Sequence, residues 1–368
     1  MFSKFLVKNH GKVFGLFSSF NRKFSLPPCN PTQNAFKDKF VVSILDASQK
    51  IGRYVALLLK QSPHIQELRL YDKNDSVCVV AEDLSHIDTK TKIKSYCGIS
   101  VLKHAIMNAD IVISLGGCRT KLNECAKDLF EKNLDDVRLA TMNCIEFNPR
   151  TIFCIAKPPI EAFVPMVSEE FKKGGVYDSR KIIGISSVAC MRSNYYVAVI
   201  SGQDSSAVRC PVVGGISKCC LVACVSQSRP EKVHAQHHKI IQDSIGIAED
   251  EVIKAYGDQG SVCLAPALSI SRFINTQLKA LKGESSCVEC AFVKQTGHIG
   301  QFLPYMTSIV RLGRHGILSS HMPKINGYEA HCLKRASMYI KENIKLGESF
   351  VTGEQKIVAK DMKKAVKQ

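Results

Sequence analysis

No stretch of about 18 or more apolar residues runs free of charge through this sequence, so no membrane-spanning helix is expected. Tryptophan is absent too, which by itself excludes nothing. Zinc-site spacing is missing. Cys287-Val288-Glu289-Cys290 is a CxxC, but neither a second such pair nor a His pair stands at a suitable distance, and no metal is expected. There is no Arg/aromatic RNA motif, no zinc-finger spacing and no internal repeat. Asp and Glu are lacking from the first 37 positions, which sets that segment apart from everything after it.

What is present reads as a globular protein. The chain has 368 residues, 45% hydrophobic and 23% charged, which excludes a disordered chain, a collagen and a coiled-coil rod. That length suits two packed lobes or one large α/β unit. Basic residues outnumber acidic ones by 50 to 33, a net charge of +17. The excess is concentrated at the ends: Lys4, Lys8, Lys12, Arg22, Lys23 and Lys37 at one, Lys356, Lys360, Lys363, Lys364 and Lys367 at the other. Between them the charges mix, and no nucleic-acid partner is expected. The 16 cysteines do not imply a disulfide scaffold, because a core of this size needs none and no ordinary secretory signal is visible. They are expected to be reduced and mostly buried, the cluster Cys219, Cys220 and Cys224 included.

Residues 1–37 read as an address and a linker. Lysines, arginine, serines and Phe2, Phe5, Phe14, Phe17, Phe20 and Phe24, with no acid, have the composition of a mitochondrial presequence. Lys4, Lys8 and Lys12 interrupt the apolar core that a secretory signal would need. Arg22-Lys23-Phe24-Ser25 fits a matrix-protease site, with cleavage after Phe24. Pro27, Pro28 and Pro31 mark an extended linker. The expected location is the mitochondrial matrix.

From residue 38 strands alternate with helices, the pattern of a doubly wound parallel sheet. Phe40 to Leu45 is a β-branched run suited to a buried parallel strand. Ile51, Val55, Leu58 and Leu59 give a helix to Gln61. Leu68 to Asp72 is a second strand, ending in an acid at the distance of one βαβ unit, where it would bond a ribose hydroxyl. A helix over 103–109, a strand over 110–114 that runs into Gly116-Gly117, and a strand over 152–156 follow. The second half predicts helices over 163–174, 190–199 and 269–281, a strand at 211–215, and a last helix through Leu333, Ala336, Ile340 and Ile344 stopped by Gly347.

Several blocks then carry a resemblance. Ala81-Glu-Asp-Leu-Ser-His-Ile87, Phe171-Lys-Lys-Gly-Gly-Val-Tyr177, Lys181-Ile-Ile-Gly-Ile185, Pro211-Val-Val-Gly-Gly215 and Val288-Glu-Cys-Ala-Phe-Val-Lys294 closely resemble the mitochondrial-type malate dehydrogenase family, in register from about residue 40 to 351. The resemblance implies an α/β fold: a Rossmann-type doubly wound parallel sheet followed by an α/β catalytic-type domain. Its divisions are a leader at 1–37, an NAD-binding-type domain at 38–184, a C-terminal-type domain at 185–352 and a basic tail at 353–368. It also implies a dimer.

The same resemblance places the family's site residues, and most are replaced. The acid/base histidine falls at Ile216 and its carboxylate partner at Ala189. Two substrate-binding arginines of the mobile loop fall at Thr120 and Ala126, with Arg119 one residue away as a shifted clamp. The third arginine is retained as Arg192. The asparagine of the Ser-Asn-Pro turn becomes Pro158, preceded by Lys157, and Pro158-Pro159 keeps the geometry of a cis proline. Asn133 matches a nucleotide-contacting asparagine. In the glycine loop only Gly52 survives, and Asp46 and Gln49 stand where glycines let the backbone approach pyrophosphate. Lys50 is placed to offset Asp46, by pairing with it or by meeting phosphate. Asp72 keeps the ribose position. His234, His237 and His238 lie in a charged segment read as a solvated helix face, not as replacement bases.

These positions favour a malate dehydrogenase-like mitochondrial protein without catalytic residues, acting as a structural or partner subunit. It would bind NAD weakly or not at all, and pair with itself or with an active relative. The alternative is an active NAD-dependent malate dehydrogenase of the tricarboxylic acid cycle in which Arg119, Lys157, Arg192 or Lys218 has taken over some tasks. A changed-specificity dehydrogenase or ligand sensor is the third reading.

Overall fold

A computed structural model describes residues 38–117, 124–257 and 262–353. The leader, Arg119, Thr120 and the basic tail from 354 lie outside them. The first half opens with β1 (Phe40–Leu45), α1 (Lys50–Lys60), β2 (Ile65–Asp72), α2 (Ser76–Ser85), β3 (Lys92–Cys97), α3 (Leu102–Ile106) and β4 (Ile111–Ser114). It continues through α4 (Ala126–Phe147), β5 (Ile152–Ile155), α5 (Ile160–Lys173) and β6 (Ile182–Ile185). These six strands pair in parallel in the order β3-β2-β1-β4-β5-β6, the Rossmann order. Every residue of β4, β5 and β6 is buried, as a parallel sheet covered on both faces requires.

The second half comprises α6 (Ser187–Ser201), β7 (Val212–Gly214), β8 (Leu221–Ala223), α7 (Ala235–Tyr256), α8 (Leu264–Lys282), β9 (Val288–Lys294), α9 (Gly297–Phe302), β10 (Tyr305–Gly313), β11 (Gly316–His321) and α10 (Gly327–Thr352). Its strands are antiparallel and extend the same sheet. β9 pairs with β6 through Gly184 opposite Phe292, and β10, β7 and β8 follow. The architecture is thus a Rossmann-type domain plus an α/β C-terminal domain along one mixed sheet. Helices α3, α4, α5 and α10 bury one apolar cluster on one face, and α1, α2 and α8 bury another on the opposite face. A third cluster joins α6, α7, β7 and β8.

Three expectations need correction. The third helix ends at Ile106, with Asn108 in the left-handed region at φ 59°, so it is shorter than the span 103–109. Gly347 does not stop the last helix. A Cβ there would lie 2.0 Å from the Ala162 carbonyl oxygen, so this glycine lets α10 press against α5. The stop is Gly353, at φ 82°. His238 is not solvated: it is buried in α7, with Nε2 against the Val233 carbonyl and Nδ1 against the Asn326 amide. Of the cysteines, all 14 among the described residues are free thiols. No helix among these residues is long and apolar enough to cross a membrane.

Candidate functional site

The strand order reverses between β1 and β4, so a crevice is expected at the carboxyl ends of those strands. The loop leaving β1 forms its floor. Asp46 adopts φ 58°, a left-handed conformation that glycine takes without cost and that costs other residues roughly 1–2 kcal/mol. Gly52 is kept for packing, because a Cβ there would meet the Asp46 carbonyl oxygen at 2.6 Å. The Asp46 carboxylate turns inward to Lys157, which follows β5. The Lys157 side chain is fully buried, and its Nζ lies 2.6 Å from Asp46 Oδ2 and 3.0 Å from Asp136 Oδ2 on α4. Asp136 in turn holds Lys73, just beyond β2. Asp46 therefore pairs with Lys157 and not with Lys50.

Burial pushes the Asp46 carboxyl above its ordinary value, against the pull of Lys157. Burial acts the same way on Asp136, but Lys157 and Lys73 outweigh it and hold that carboxyl low. Burial, with the charges of Asp46, Asp72 and Asp136, pushes the Tyr71 phenol up to about 12. What remains among Asp46, Tyr71, Lys73, Ser114 and Asp136 is a cavity of about 10 Å3, room for about one water.

The other groups of the crevice are also bonded within the chain. Asp72, buried at the end of β2, accepts from the Ser48 hydroxyl at 2.6 Å and the Ser48 N–H at 3.2 Å. Its second oxygen accepts from the Asn74 N–H at 3.2 Å. The Gln49 side-chain oxygen accepts from the Gly117 N–H at 2.8 Å. Asn133 is buried and donates to the Pro158 carbonyl at 2.9 Å. The Pro158–Pro159 bond is cis.

Farther along the sheet, β7 ends in Gly214 and Gly215, and Ile216 follows. Ile216 packs against the cluster that contains Ala189, which lies in the first turn of α6. Both positions are thus apolar and belong to one packed region. Beneath them Glu161, buried in the first turn of α5, accepts from the N–H groups of Ile216 at 2.9 Å and Ser217 at 3.1 Å. The Ser217 hydroxyl donates to the same oxygen at 3.1 Å. Gly215 allows this approach, since a Cβ there would lie 2.6 Å from Glu161 Oε1.

Two further candidate cations are engaged elsewhere. Arg192 pairs with Glu249 on α7 at 3.1 Å, and Lys218 with Asp250 at 2.7 Å. Ala126 begins α4 and offers a methyl group only. Among the described residues no three or more His, Cys, Asp or Glu side chains are arranged to hold a metal. Sequence reasoning missed Glu161, Asp136, Lys73 and Ser48. Only Glu161 had a signal, an acid at a helix N-terminus, and that is too common to single it out.

Comparison with known proteins agrees with this architecture. The family description "lactate/malate dehydrogenase, NAD binding domain" matches residues 40–184, and "lactate/malate dehydrogenase, alpha/beta C-terminal domain" matches 189–351. The mitochondrial malate dehydrogenase of Felis catus is 34% identical over 313 residues, covering 84% of this chain and 91% of its own. The Homo sapiens protein of the same name is 33% identical over 312 residues, with the same coverages. Among solved structures, the malate dehydrogenase of Cryptosporidium parvum superposes with a TM-score of 0.73 at 22% identity, covering 84% of this chain and 99% of its own. The lactate dehydrogenase of that organism, complexed with lactic acid and nicotinamide adenine dinucleotide, gives 0.71 at 16% identity, with coverages of 84% and 98%.

Proposed function

The chain belongs to the lactate/malate dehydrogenase family, and from that premise we propose that it is a non-catalytic member, keeping the fold without hydride transfer. One observation carries this reading: Ile216 and Ala189 pack into one apolar cluster. Reduction of a carbonyl by hydride needs a proton delivered to the oxygen, and neither side chain holds one. General acid/base help is typically worth about 10²- to 10⁴-fold. Glu161 does not replace it. Its carboxylate is fixed by three donors beneath the loop, and its charge opposes a dicarboxylate substrate.

The crevice supports the same reading. The residues there do not fit a dinucleotide in the family's manner. Pyrophosphate would meet the Asp46 side chain where a bare glycine backbone is wanted, and Asp72 and the Gly117 N–H already have intrachain partners. NAD therefore binds weakly or not at all. The decisive experiment pairs calorimetric titration of the mature protein with NADH and an assay of oxaloacetate reduction. Both are expected to be silent, and Ile216→His alone is expected to restore neither. Saturable NADH binding with robust turnover would overturn the proposal.

The acid-free leader supports delivery to the mitochondrial matrix, which a fluorescent fusion of residues 1–37 that stays cytosolic would refute. The retention of both family domains, with their helices and strands packed into continuous cores, supports a structural role as a dimer, with itself or with an active relative. Exposed Tyr54 and Leu57 on α1 and Val79 on α2 suit such a contact. A clean monomer with no co-purifying relative would refute it.

A further inference from the structure

Away from the crevice, a cavity of about 880 Å3 opens between α6, α8, β9 and the segment before β7. Cys190, Cys210 and Cys290 line it, from α6, that segment and β9 respectively. The hydroxyl of Ser186, the N-cap of α6, donates to the Cys290 carbonyl at 3.1 Å and pins the start of the helix to the strand. Cys190 lies one turn along, and its side chain and that of Cys290 line the same cavity beside the point where helix and strand are pinned. Arg209, Arg272 and Lys279 also line the cavity and are exposed, giving it a basic mouth.

The two thiols are chemically unlike. Cys290 accepts from the Cys190 S–H, and together with the Val212 N–H this outweighs burial and lowers its pKa. Cys190 is raised, first because it donates to Cys290 and then by burial. The lowered sulfur is the better nucleophile, since thiolate is the reacting form, and its neighbour is poised to resolve the product.

We propose that Cys190 and Cys290 form a reversible dithiol modification site that hydroperoxides oxidise to a disulfide. The Cys290 thiolate attacks one peroxide oxygen, the O–O bond breaks, and hydroxide leaves. Cys290 is then a sulfenic acid. The Cys190 sulfur attacks the Cys290 sulfur, the S–O bond breaks, and the Cys190 proton leaves with the oxygen as water. Two thiols and one hydrogen peroxide give one disulfide and two waters. The bond must close to ~2.05 Å, which needs side-chain rotation at both residues. It would fasten α6, the helix of Ala189 and Arg192, to β9.

The test uses the full chain, reduced and then exposed to a few equivalents of hydrogen peroxide. Free thiols are blocked, and peptides are mapped without reduction. The expected result is a linked Cys190–Cys290 peptide pair, two hydrogens lighter than its parts, formed before the exposed Cys78, Cys125 and Cys219 are oxidised and reversed by dithiothreitol. In Cys190→Ser the link is lost, and Cys290 accumulates as a sulfenic acid that dimedone traps. Recovery of Cys190 and Cys290 as free thiols after the exposed cysteines have reacted would overturn the proposal, and so would linkage of either one to another cysteine. Mapping of the unaltered chain decides the matter if the variant does not fold.

Discussion

Replacing Lys157 by Met removes the cation that holds Asp46 while keeping a side chain of similar length. Asp136 retains Lys73, so the uncompensated charge falls chiefly on Asp46. Removing one partner of a buried pair typically costs about 3–5 kcal/mol. The loss depends on pH with a definite sign. The Asp46 carboxyl is already raised by burial, and without the opposing pull of Lys157 it rises further. An acid with a higher pKa folded than unfolded binds more protons when folded. Its contribution to stability therefore falls as pH climbs from the ordinary aspartate value, ~3.9, through the raised one. Lys157→Met should accordingly lose most near neutrality and recover part of the loss near pH 5. Adding Asp46→Asn, which deletes the stranded charge, should return much of it, with a coupling of about 2 kcal/mol or more. Urea unfolding followed by circular dichroism across this pH range, on the parent chain, Lys157→Met, Asp46→Asn and the double variant, measures the cost and the coupling. A cost below about 1 kcal/mol at every pH, or a cost independent of pH, would refute the reasoning.

Gly347→Ala should destabilise by about 1–3 kcal/mol through overpacking against Ala162, whereas Gly327→Ala, with nothing within 4 Å of its Cβ position, should shift the melting temperature little. Equal shifts in the two melts would contradict the close approach of α10 to α5. Glu161→Ala strands three donors and should cost about 1–3 kcal/mol. Amide exchange should quicken at Ile216 and Ser217; unchanged exchange there would show that the carboxylate does not hold the loop.

Much of this was legible in the chain. β1 begins and ends where its β-branched run does, and Ile216 and Ala189, on which the proposed loss of catalysis turns, are apolar in the sequence as they are in the packed cluster. Helix starts were harder. α8 begins at Leu264, ahead of the expected 269, because Pro266 sits in its first turn, where no N–H is needed. Gly347 looked like a stop because a glycine that ends a helix and one that admits a neighbouring helix are the same letter. Lys157 and Asp46 each stand out in the sequence, but nothing there pairs them. Asp46 and Lys157 lie 111 residues apart and meet only because β1, β4 and β5 end side by side. Local pattern carries no record of such a meeting, and the same is true of the stacking of Glu161 beneath Ile216.

The continuous sheet has a consequence for how the molecule is made. β6 borders β5 on one side and finds its other neighbour, β9, only roughly a hundred residues farther along the chain. A protein synthesised from its N-terminus completes the Rossmann half while its edge strand β6 still has bare N–H and carbonyl groups on the side that β9 will cover. Open edges of this kind recruit other chains. The first half is thus the portion at risk during synthesis and the second half is its guard, so a chain stopped at residue 184 should aggregate under conditions in which the whole protein stays dissolved.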